Sequence, residues 1–113
     1  PIYITENGAY FDDTLSEDGK VHDRQRIEFL DRYIRAMWEA IEQGVDIRGY
    51  FVWSLLDNFE WASGYRPTFG LVKLDRTSQK RIPKASFYWY RDLIQRNRSL
   101  ASPIGIQADE AGK

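Results

Sequence analysis

Two short runs rich in β-branched and aromatic residues, Ile2-Tyr3-Ile4-Thr5 and Gly49-Tyr50-Phe51-Val52-Trp53-Ser54, stand on either side of one long amphipathic pattern. Strand, helix and strand joined by short connections make a right-handed βαβ unit, so an α/β fold with parallel strands is the simplest outcome. Ile27, Leu30, Ile34, Met37 and Ile41 recur at steps of three and four, which predicts the helix, with Asp23 as its N-cap and Gly44 closing it. Asp31 and Arg35, four apart, suit its wet face. The second strand is expected over residues 48–54. Its nearly continuous apolar character predicts burial on both faces, as in a parallel sheet.

Both strands lead into segments that carry chemistry. Asn7-Gly8 is a turn signal, which puts Glu6 where the first strand opens into a loop, and active sites gather there in parallel α/β folds. Taken alone, an acid in that place reads first as a solvated loop residue, since short motifs match by accident. The second strand runs into Leu55-Leu56-Asp57-Asn58-Phe59-Glu60-Trp61, a further acid and indole at the next strand end. Residues 9–22, with Asp12, Asp13, Ser16, Glu17, Asp18 and Gly19, have the composition of a surface loop, and His22 reads as a surface residue. Gly64 and Pro67 preclude a regular helix in the aromatic stretch up to Phe69, where Tyr65 reads as loop packing. A hairpin is expected from residues 70–74 and 80–82 around the turn 75–79. Pro83 is expected to open a last helix, with Phe87, Tyr90 and Ile94 on one stripe, that ends among Arg96, Asn97 and Arg98. Residues 1–98 read as one unit, and residues 99–113 as a flexible tail.

Bulk properties remove several function classes. The 113 residues are 42% hydrophobic and 15% aromatic, long enough for a core. Their 16 basic and 17 acidic residues are intermixed at a net charge of −1, so no field favours nucleic acid or an anionic membrane. No cysteine and a single histidine exclude thiol catalysis, disulfides and a histidine metal cluster in this chain, and no cofactor is implied. No run approaches the ~20 apolar residues of a membrane helix, and no export signal opens this piece, which favours a soluble, cytoplasmic setting. Pro1 leads straight into a strand, as if the chain were part of a larger polypeptide. Two parallel strands also leave two open edges and an uncovered face, which something else must satisfy.

With both strand ends in view, the sequence resembles family 1 glycoside hydrolases, the β-glucosidase family. Ile4-Thr5-Glu6-Asn7-Gly8 is similar to the family's nucleophile motif, and Trp53-Ser54-Leu55-Leu56-Asp57-Asn58-Phe59-Glu60-Trp61 to its glycone-binding motif. Gly44-Val45, Gly70-Leu71-Val72, Lys80-Arg81-Ile82-Pro83-Lys84 and Tyr88-Trp89-Tyr90 match as well. The resemblance implies the last quarter of a (β/α)₈ TIM barrel: strand 7, helix 7, strand 8, a small hairpin and helix 8, with the rest of the barrel supplied by another chain or segment. It implies Glu6 as the nucleophile, ionised by cationic or hydrogen-bonding neighbours. Glu60 would take two sugar hydroxyls, Trp61 would offer its N–H to a third, Trp53 would face the pyranose ring and Phe69 would wall the pocket. The family's acid/base lies in an Asn-Glu-Pro motif that this chain lacks, so the chain alone is expected to be inactive and to act with an N-terminal companion on a β-glucoside or related small sugar. On spacing alone, ordinary packing is the preferred explanation of Trp53 and Phe69. A non-catalytic sugar-binding or scaffold part is the alternative. A single-strand nucleic-acid platform is weaker, since no basic groove accompanies the aromatics.

Overall fold

The computed structural model describes residues 1–100. They form β1 (Ile2–Asn7), α1 (Arg24–Glu42), β2 (Ile47–Val52), one 3₁₀ turn (Trp61–Ser63), β3 (Val72–Leu74), β4 (Arg81–Pro83) and α2 (Ala85–Leu100). β1 and β2 pair in parallel, from Ile2 opposite Ile47 to Asn7 opposite Val52, with α1 as their crossover. β3 and β4 make the expected antiparallel hairpin, Val72 opposite Pro83. A single parallel bridge between Leu56 and Val72 joins the hairpin to the segment leaving β2.

The periodicity of α1 has a direct structural counterpart. Arg26, Leu30 and Ile34, four apart, form its buried line, with Ile27, Met37 and Ile41 half-buried beside it. Gly44 ends the helix at φ +94°, where its N–H reaches the Ile41 carbonyl at 2.9 Å. Asp31 and Arg35 pair on the wet face at 2.8 Å. The apolar core is small: Val21, Leu30, Ile34, Leu71 and Val72.

Five expectations are corrected. Asp23 occupies the N-cap position of α1, but its side chain caps the other helix: Oδ1 accepts the Ser86 N–H of α2 at 2.8 Å. Pro83 closes β4 instead of opening α2: it stands opposite Val72 in the hairpin, and α2 begins at Ala85. α2 runs two residues past Arg98, and the flexible-tail expectation otherwise falls on residues outside those described. β2 is not closed on both faces among the described residues; Phe51 remains 58% exposed and Leu55, just beyond, 61%. Asp13, read as a surface-loop acid, is buried. Among the described residues no helix is long and apolar enough to cross a membrane, and no group of three metal-ligating side chains converges.

Candidate active site

The carboxyl ends of β1 and β2 meet at Gly8 and Trp53. Trp53 donates its backbone N–H to the Asn7 carbonyl at 2.9 Å, extending the parallel pairing one residue beyond β2. A Cβ on Gly8 would stand 1.7 Å from the Trp53 carbonyl oxygen, so glycine there is a requirement of close approach. The Trp53–Ser54 peptide is cis. Tyr50, in β2, donates its hydroxyl to Asn7 Oδ1 at 2.7 Å and so fixes the residue next to Glu6; burial, with Tyr90 and Tyr33 nearby, pushes the Tyr50 hydroxyl up to about 12.

Glu6 lies at this strand end, as the sequence predicts, and it is exposed, on a strand that is itself mostly exposed among the described residues. The neighbours expected to hold it ionised are not found in the chain: among the described residues no hydrogen bond or ion pair reaches its carboxylate. Trp53 is half-buried directly across the strand ends. Phe69 is half-buried too and is tied to the same corner, since Ser54 donates its N–H to the Phe69 carbonyl at 3.2 Å and the Tyr10 ring stands edge-on to Phe69 at 5.7 Å. Its ring therefore takes part in loop packing, as the packing explanation would have it. Glu6, Trp53 and Phe69 thus share one end of the sheet.

Glu60 and Trp61 stand further out, on the 3₁₀ turn. The Glu60 N–H reaches the Gly64 carbonyl at 2.6 Å and closes this turn on itself. Trp61 holds φ +43°, and a bulky side chain in the left-handed region costs on the order of 1–2 kcal/mol. Its indole is 82% exposed, so packing does not account for the conformation. The backbone hydrogen bonds that close residues 60–64 on themselves hold it there. Tyr65 packs against Phe59 edge-on at 5.3 Å, and Arg76 from the β3–β4 turn covers its ring at 3.6 Å. Its reading as a loop-packing residue holds, as does that of His22, which pairs with Asp18 at the surface.

Sequence reasoning missed the buried ionic cluster beneath these loops. Arg26 grips Asp13 through both terminal nitrogens, at 2.8 and 2.7 Å, and also bonds Asp23 and the Thr68 carbonyl. Lys84 bridges Asp13 and Asp57, and Ser86 donates twice to Asp23. Burial alone would raise the Asp13 carboxyl; hydrogen bonds from Arg26 and Lys84, with their charges, hold it below its ordinary 3.8. Burial likewise works against the Arg26 charge, and Asp13 and then Asp23 restore it, leaving its pKa above the usual value. Its Nε is buried with no partner among the described residues. One signal for this cluster was available: Arg26 sits on the apolar line of α1, at the spacing of Leu30 and Ile34, where a charge must find a buried partner.

A parallel strand–helix–strand layer with an acid and an indole at the strands' carboxyl ends is an α/β arrangement of the kind that barrels and open parallel sheets share. The glycosyl hydrolase family 1 model matches residues 1–99, and the chain belongs to that family. Beta-glucosidase A of Thermotoga maritima is 58% identical over 96 residues, 85% of this chain and 22% of that protein. A bifunctional beta-D-glucosidase/beta-D-fucosidase of Bifidobacterium breve is 51% identical over 98 residues, 83% of this chain and 21% of that protein. A 6-phospho-beta-galactosidase of Staphylococcus aureus is 42% identical over 95 residues, 83% of this chain and 20% of that protein. The solved family 1 β-glucosidase of T. maritima, a TIM barrel, superposes with a TM-score of 0.83 at 59% identity, over 84% of this chain and 21% of that one. The same enzyme has been solved with noeuromycin and with deoxynojirimycin. The chain spans about a fifth of the length of these relatives.

Proposed function

We propose that residues 1–98 are the last quarter of a retaining β-glycosidase barrel that hydrolyses terminal non-reducing β-D-glycosyl residues. In this reading β1, α1, β2 and α2 are strand 7, helix 7, strand 8 and helix 8, with β3 and β4 as the hairpin before the last helix. An N-terminal companion, chain or segment, supplies the remainder. The observation that carries the reading is the accessible carboxylate of Glu6 at the end of a parallel strand, beside Trp53.

Glu6 attacks the anomeric carbon and its oxygen forms a covalent glycosyl-enzyme as the aglycone leaves. The leaving oxygen takes its proton from a general acid in the companion, since no Asn-Glu-Pro lies in the 113 residues. That same group, now a base, removes a proton from water, which displaces Glu6 and completes hydrolysis. Retention requires the two carboxyls to lie about 5 Å apart across the bond. Glu60, half-buried with no protein partner for its carboxylate among the described residues, accepts the sugar's 4- and 6-hydroxyls. The exposed Trp61 offers its N–H to a further hydroxyl, Trp53 lies along the C–H face of the ring and Phe69 walls the pocket. A carboxylate at Glu60 repels a 6-phosphate, so a neutral glycone is favoured although a 6-phospho-beta-galactosidase is among the relatives.

Substitution tests the assignment in the complete barrel. Glu6→Ala should lower kcat on an aryl β-glucoside by about 10⁴-fold or more, because the step it performs has no substitute. Azide added to this variant should restore turnover and give the α-glycosyl azide. A loss under about tenfold would instead leave the non-catalytic sugar-binding reading in its place.

A further inference from the structure

We infer that Lys84 is a positioning residue, a buried clamp that fixes the loop carrying Glu60, Trp61 and Phe69 against the loop leaving β1; this rests on the glycosidase reading above. Lys84 ends the Lys80-Arg81-Ile82-Pro83-Lys84 motif, to which the proposed chemistry gives no role. It is wholly buried just before α2, and its ammonium donates to Asp13 and, at 3.0 Å, to Asp57 Oδ1. Asp13 belongs to the loop after Glu6, and Asp57 to the loop after Trp53. One cation therefore holds both.

Asp57 then closes the second loop on itself. The same Oδ1 accepts the Gly70 N–H at 2.9 Å, so one carboxylate pins both ends of residues 57–70. The closure is tight enough that a Cβ on Gly70 would lie 2.3 Å from the Asp57 nitrogen. Two further links cross between the loops: Arg26, gripped by Asp13, donates to the Thr68 carbonyl at 2.7 Å, and the Thr68 hydroxyl donates to the Phe11 carbonyl at 2.9 Å. Glu6 does not need the clamp, since pairing on either side of it, Ile4 opposite Tyr50 and Asn7 opposite Val52, holds its stretch of backbone. What the clamp sets is where Glu60 and Trp61 stand relative to Glu6. A buried ion pair is a weak source of stability relative to apolar packing; here the carboxylates that Lys84 joins lie on two different loops, so its role is to fix their relative position. Contacts made equally in ground and transition states appear in KM and not in kcat.

Three variants of the complete barrel test the clamp: Lys84→Met, which keeps length and loses charge; Asp57→Asn, which keeps an acceptor for Gly70; and Leu30→Ala, a core change elsewhere. KM for an aryl β-glucoside should rise on the order of tenfold to a hundredfold in the first two, as for sub-ångström to ångström misplacement of a binding group, with kcat within about threefold. Leu30→Ala should lower the thermal midpoint as much and leave KM within about twofold. If Lys84→Met does not fold, Asp57→Asn carries the test. KM values that stay at the wild-type level in both clamp variants while the midpoint falls, as in Leu30→Ala, overturn the inference. If the wild-type barrel hydrolyses no glucoside, the glycosidase reading fails by itself. The dissociation constant for deoxynojirimycin then replaces KM, with the same ratios supporting or overturning the clamp.

Discussion

Arg26 and Lys84 lie among three carboxylates, Asp13, Asp23 and Asp57, all buried. Removing one member strands the others, and breaking a buried pair costs about 3–5 kcal/mol. Asp13 is the member whose charge is most directly held by both cations. Its folded-state pKa lies below 3.8, so its contribution to stability is complete above that value and is lost as pH falls through the folded value. Denaturant unfolding should therefore show stability falling with acid below about pH 3.8, and Asp13→Asn should flatten that slope while costing about 3–5 kcal/mol at neutral pH. An Asp13→Asn protein with an unchanged acid slope would mean that the pairing is not formed in solution. At Asp13 none of this was legible from composition, because Asp12 and Asp13 look alike on paper and only one turns inward; the one local signal lay at Arg26, on the apolar line of α1. The partners of Asp13 are 13 and 71 residues away, beyond any local pattern.

Among the elements, α1 and the two parallel strands were legible, since side-chain period and turn chemistry are local properties. The position of Glu6 and Trp53 at adjoining strand ends followed from them. The fine boundaries were not legible: Pro83 joins β4 and α2 starts only at Ala85, because hairpin pairing and the Asp23 cap are tertiary contacts. The conformation of Trp61 was equally invisible, as its positive φ is imposed by the closed turn from Glu60 to Gly64. The strand ends make their own prediction. Gly8→Ala forces a Cβ into the Trp53 carbonyl, which neither backbone can avoid without the strand ends parting. Unfolding should show a loss of about 1–3 kcal/mol or more, with activity of the complete barrel falling at least tenfold as Glu6 moves away from Trp53. Near-wild-type values for both would show that this corner is looser than its geometry implies.

Over the whole molecule, much apolar surface stays open. Ile2, Tyr3 and Phe51 are more than half exposed on the sheet, and Leu55 lies beyond it in the same state. A groove beside α2 continues this surface, with Tyr50, Val52, Phe87 and Ile94 along it. In the proposed assembly this is the surface that the rest of the barrel covers. Expressed by itself, the chain should bind a hydrophobic dye strongly and hydrolyse no aryl glucoside, and adding the companion should suppress the dye signal and bring activity. Activity from the chain alone would contradict the missing acid/base. Glu6 as the nucleophile of an assembled barrel is tested most directly by intact-mass measurement of the complete barrel after treatment with a 2-deoxy-2-fluoro-β-glucoside bearing a good leaving group. A mass increase of one fluorosugar, localised by peptide mapping to Glu6, is expected; inactivation with the sugar on any other residue, or turnover with no trapped sugar on Glu6, would contradict this assignment.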